Sequence, residues 1–151
     1  MKSLYKEFET VGKDWLLDLD LYNEVPFQRK TTGTRWSISE IYEILGRSTL
    51  DFHLVKLIEA IETPQRGSKK WLGRKTFFKK SFSNKKLRSY MIENFSPDVS
   101  ENINHSKDLM FKVLKKMEEV SRLINTSNRK NQSEHPILGH LTVEEWYKLV
   151  T

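Results

Sequence analysis

With no cysteine in the chain, a reaction centre here must draw on imidazoles, carboxylates, hydroxyls and Lys or Arg; disulfides, thiolate nucleophiles and Cys-ligated metals are excluded. The imidazoles are His53, His105, His135 and His140. His105 and Asp108 are three apart on a helical pattern and can share a face, but one imidazole and one carboxylate are an incomplete ligand set. His135 and His140 flank a turn containing Pro136 and Gly139. A spacing of five across a turn does not define a metal site, and structural use is the expectation for both, with His135 the better placed to touch a ligand. His53 reads as a partly exposed helix histidine.

Carboxylates and aromatics have simpler uses. Ser37-Ile38-Ser39-Glu40 and Thr142-Val143-Glu144-Glu145 both have capping-box spacing, so Glu40 and Glu145 are expected to close helix starts, with Glu144 beside them in a first turn. Trp36 and Trp146 stand at those same helix starts as core anchors beside a candidate pocket.

The elements that must position these groups are helical. Leu4, Phe8, Val11, Trp15 and Leu19 recur at three and four over a first helix from Leu4 to Leu21. A polar stretch from Gln28 to Gly33, running on to Thr34, precedes the Ser37 cap. A second stripe, Ile41, Leu45, Phe52 and Val55, then runs until Thr63-Pro64 ends it. Lys85 to Asn94 forms a short helix. Asp98 or Ser100 caps a third long helix through Ile103, Met110, Val113, Leu114, Met117, Val120 and Ile124. Residues Asn125 to Glu134 read as a loop, and no segment has a strand pattern strong enough to carry a sheet. A fourth helix opens at Trp146, Leu149 and Val150 and is cut short at Thr151. A single all-α domain spanning 1–151 follows, built as a four-helix bundle whose last helix is truncated.

Charge is uneven. From Arg66 to Arg88 there are ten Lys or Arg and no acid, so the +6 of the whole chain leaves −4 elsewhere. Within this connector Trp71, Leu72, Phe77, Phe78 and Phe82 are expected to tuck against the bundle. An alternative function is polyanion or nucleic-acid binding through the basic connector, with Lys69, Lys70, Lys79 and Lys80 as its patch. No nucleic-acid fold signature supports it, so nucleic acid is not the expected partner. The N-terminus turns acidic at once, and no apolar run approaches the ~20 residues of a membrane span. A signal peptide and a membrane partner are therefore not expected, and the expected compartment is the cytoplasm.

Trp36-Ser37-Ile38-Ser39-Glu40-Ile41 resembles the start of the second helix in the DinB-like superfamily. His135-Pro136-Ile137-Leu138-Gly139-His140-Leu141-Thr142-Val143-Glu144-Glu145-Trp146 is similar to the run that opens the last helix in one of its branches, and the Arg74-Lys75-x-Phe77-Phe78 patch is similar to that branch too. The resemblance implies a bacterial up-down-down-up four-helix bundle, often dimeric, with a divalent metal, zinc or nickel, on three histidines. It implies a transferase of small thiols or a metal-dependent hydrolase. This chain departs from the pattern: Ile44 occupies the first ligand position, and the other two fall past Thr151. The expected function is a transferase or hydrolase with an incomplete metal site, so whether it is an enzyme stays open. The alternative is a non-catalytic bundle that binds a small molecule or a protein partner; in either case a homodimer is expected, covering helix faces that the short fourth helix leaves open.

Overall fold

The computed structural model describes residues 2–33, 35–80, 85–97 and 99–151, with residues 2–4 described by their backbone alone. Thr34, Phe82, Asp98 as a candidate cap, and the side chain of Leu4 therefore lie outside the described residues. The chain is mostly helical, as its periodicity requires.

Helix α1 (Lys2–Leu19) stops two residues earlier than its apolar pattern, because Asp20 and Leu21 turn the chain into a short α2 (Glu24–Gln28). Pro26 sits in the first turn of α2, where its missing N–H would have no helical partner anyway. Helix α3 (Ile38–Arg47) starts at the expected capping box. Ser37 Oγ accepts from the Glu40 N–H at 3.2 Å and the Glu40 carboxylate accepts from the Ser37 N–H at 2.7 Å.

A π-helical turn, Ser48–His53, joins α3 to α4 (Leu54–Glu62), and the run ends at Thr63 as the following proline demands. The connector contains a helix that its irregular pattern does not reveal, α5 (Trp71–Lys79), closed by Lys80 in the left-handed region at φ +49. Helix α6 (Lys85–Phe95) precedes α7 (Ile103–Thr126), whose cap is Asn102, its side chain accepting from the His105 N–H at 2.8 Å. Ser100 instead meets Ser37 at 3.1 Å and Ser39 donates to the Glu101 carbonyl at 2.6 Å, tying together the starts of α3 and α7.

The expected loop before the last helix is a correction. Helix α7 runs on to Thr126, and Gln132–His135 (β1) pairs antiparallel with Gly139–Thr142 (β2), His135 opposite Gly139. Ser133 and His135 are the inward residues of β1, so the alternation has polar residues on its buried side and carries no apolar signal. The connector joins this hairpin: Gln65 N–H donates to Gln132 O, and Lys70 N–H donates to Leu138 O, both at 2.8 Å. Helix α8 (Val143–Val150) starts at the second capping box on Thr142.

Burial forms two clusters. The larger gathers Leu54, Leu57 and Ala60 of α4, Met117, Val120 and Ile124 of α7, and Leu138, Leu141, Trp146 and Tyr147. The smaller gathers Leu19, Phe27, Tyr42, Ile103 and Met110, with Trp15 edge-on to Tyr42 at 5.1 Å. Helix α7 contributes to both.

Candidate functional site

Along a regular helix each residue advances about 100°, so the nine steps from Ile44 to His53 would put them on opposite faces. The π-helical turn absorbs one residue and swings His53 back by about one step. Ile44 and His53 consequently line one cavity of about 310 Å³ between α3, the π turn, α6, the hairpin and α8. His53 is thus the half-buried helix histidine that its sequence context suggests, and it also lines this cavity.

The cavity walls are apolar: Ile44, Leu45, Leu87, Met91, Leu149 and Val150. Its polar groups are Ser48, Thr49, His53, His135 and Arg88. Ser48 Oγ donates back to the Leu45 carbonyl at 3.2 Å, which leaves its lone pairs as acceptors.

His135 is fully buried and held on every side. Its Nδ1 accepts from the Ile137 N–H at 3.0 Å and the Leu138 N–H at 3.3 Å, so the turn at Pro136 selects the neutral tautomer protonated at Nε2. The ring stacks on Trp146 at 5.3 Å, and Phe52 meets it edge-on at the same distance. Nε2 has no hydrogen-bond partner among the described residues. Burial, reinforced by the positive charge of a protonated His53 and of Lys70, pushes the pKa of His135 down to about 3. Burial likewise pushes His53 down to about 4, opposed by its bond to the Ser48 backbone. That bond uses an imidazole N–H as donor and leaves the other nitrogen a lone pair. At neutral pH both imidazoles are therefore uncharged: His53 keeps one nitrogen as an acceptor, and the Nε2–H of His135 is itself buried.

This donor set does not suit a three-histidine metal ion. The Nδ1 lone pair of His135 is committed to the turn and its Nε2 is buried and carries the proton. No group of three His, Asp or Glu converges among the described residues. His105 instead meets Glu43 at 2.9 Å, with Asp108 exposed, and the ring of His140 lies directly over Gly67.

Trp146 lies under His135, whereas Trp36 is half-buried at the far end of α3, within 5.8 Å of Lys30 and 5.2 Å of Arg35, and does not line the cavity. The four patch lysines do not converge. Lys69 pairs with Glu145 at 2.9 Å and Lys70 donates to the Pro136 carbonyl at 2.6 Å, so both brace the hairpin and α8, while Lys79 and Lys80 are exposed at the end of α5. The connector aromatics also divide. Leu72 and Phe77 pack on the larger cluster, but Trp71 is 71% exposed and Phe78 88%, against the expectation that they tuck in.

Ser48, Thr49, Arg88 and Met91 belong to the site without any motif marking them. Compared with family models, with curated proteins and with solved structures, the chain matches none.

Proposed function

We propose that the chain is a DinB-like bundle of up-down-down-up type, with α1, the α3–α4 run, α7 and α8 as its four members. In this reading its cavity binds a small, mostly apolar molecule without a metal ion. The supporting observation is a chamber with largely apolar walls whose polar groups include the neutral His53, an acceptor, and the hydroxyl of Thr49, which can donate. Such a combination favours an apolar body bearing a polar group that both accepts and donates a hydrogen bond, because a ligand lacking either partner leaves a buried polar atom unpaired. Arg88 on the same wall adds positive charge.

Thermal shift separates this from the metal-dependent transferase or hydrolase that the resemblance implies. Zinc, nickel and manganese at stoichiometric concentrations are expected to leave the melting temperature unchanged, whereas a small amphiphile at about 100 times its Kd stabilises by about 2.7 kcal/mol. Ligand stabilisation is expected to fall in His53→Phe and Thr49→Val. Stoichiometric metal retention with a raised melting temperature would overturn the proposal and favour the metal-dependent enzyme.

A further inference from the structure

Helix α5 presents a face that neither the cavity nor the core uses. Trp71, Arg74, Lys75, Phe78 and Lys79 are all exposed, and at about 100° per residue they fall within an arc of about 140°. The opposite side carries buried Gly73 and Thr76, with Leu72 and Phe77 against the core. This packing fixes the orientation of α5, so that it cannot roll to hide Trp71 and Phe78. Gly73 sets the closeness: a Cβ there would lie 2.2 Å from the Leu138 carbonyl oxygen of the hairpin. The two outward aromatics, seven residues and about 10 Å apart along the axis, are thus held in water with three cations between and beside them.

We infer that this face docks on an anionic lipid bilayer, with Trp71 and Phe78 entering the headgroup–acyl boundary and Arg74, Lys75 and Lys79 staying among the phosphates and carboxylates. An apolar-and-basic face of this composition is what an interfacial helix presents. The ten positive charges between Arg66 and Arg88, with no acid among them, add a field of the right sign. A single nucleic-acid strand fits less well. Base stacking needs open ring faces along a groove, whereas these rings project from a helix and Lys75 lies over Trp71, 4.9 Å from its centroid. Docking of this kind is peripheral: no described helix is long and apolar enough to cross a membrane.

The test is co-sedimentation of the full chain with vesicles of phosphatidylcholine alone and of phosphatidylcholine mixed with phosphatidylserine, alongside fluorescence anisotropy with an oligothymidylate. Binding to the mixed vesicles only is expected. It should weaken roughly tenfold in Trp71→Ala/Phe78→Ala, which keeps every charge, and be abolished in Arg74→Gln/Lys75→Gln/Lys79→Gln. Because all five side chains are exposed, both variants should keep the parent circular dichroism and melting temperature. Vesicle binding that survives loss of both aromatics, absence of vesicle binding, or aromatic-dependent binding to oligothymidylate in its place would overturn the inference.

Discussion

A histidine that accepts two backbone N–H groups on one nitrogen and lies flat on a tryptophan has little freedom to take up a proton. His135 does this fully buried, and His53 shares its cavity. Both imidazoles ordinarily titrate near 6.5; here they do so at about 3 and about 4. In the unfolded chain they begin to bind protons as pH falls through about 6.5, while the folded chain keeps them neutral. Folded stability is therefore fully present above about 6.5 and drains as pH drops towards 4 and then 3. Each histidine contributes a slope of up to about 1.4 kcal/mol per pH unit inside that window. Glu40 does not confuse the reading. Burial alone would raise its pKa, but the Ser37 N–H and Lys30 hold it below its ordinary 4.5, so its own contribution is lost only as pH falls below that value, under the pH 7–5 range of the melts. Urea melts between pH 7 and 5 should show stability falling with acidity, and His53→Gln should roughly halve the slope; a slope untouched by that substitution would refute the assignment. His135 was legible as a structural histidine beside Pro136, though not as the end of a strand. The partial exposure of His53 was legible too, but not its place at the cavity, which depends on a π turn that no proline or glycine announces.

Among the elements, the two capping boxes were read most faithfully and the hairpin least, while the cap of α7 is Asn102 and not Ser100; the reason is range. A capping box is a four-residue contract between a hydroxyl and a carboxylate, both visible in the sequence. Strands β1 and β2 are four residues each, bury Ser133 and His135, and are completed by connector residues far away in sequence, Gln65 and Lys70. Helix α8 shows what a cap is worth. Its eight residues are too few to be stable alone, yet they carry Trp146 beneath His135 and two walls of the cavity, Leu149 and Val150. Thr142 Oγ1 accepts from the Glu145 N–H at 3.2 Å and the Glu145 carboxylate accepts from the Thr142 N–H at 3.0 Å, while also pairing with Lys69. Thr142→Ala should cost about 1–2 kcal/mol in urea melts. Because α8 is also a wall of the site, the variant should bind any cavity ligand more weakly, which Ser37→Ala, at the far end of α3, should not do. Equal ligand affinity in the two variants would argue against α8 as a wall of the site.

Over the whole molecule, the helical class follows from apolar periodicity, but the division of the core does not, since it depends on which helices α7 meets along its 24 residues. Its N-terminal half joins α1, α2 and α3 around Phe27 and Tyr42, and its C-terminal half joins α4, the hairpin and α8 around Leu57 and Trp146. The first cluster is much the smaller, and its edge includes α2, a five-residue helix whose start is linked to α7 through the Glu24 carboxylate, which accepts from the Ile103 N–H at 3.2 Å. A smaller cluster buries less apolar area and opens at lower free energy, so the molecule should unfold in two tiers. Native-state hydrogen exchange should show amides of α2 and of the C-terminal end of α1 exchanging through a partial opening, and those of α4 and the second half of α7 only through global unfolding. Phe27 and Leu57 are both fully buried, and truncation to alanine should cost about 3–5 and about 2–5 kcal/mol respectively. Phe27→Ala should accelerate exchange in the first tier and leave the slowest amides of α4 nearly unchanged, whereas Leu57→Ala should accelerate those slowest amides. If Phe27→Ala instead shifted every protected amide by the same amount, α7 would couple the two clusters into one cooperative unit, and the site formed by α3, α6 and α8 would stand or fall with the α1–α2 end of the molecule.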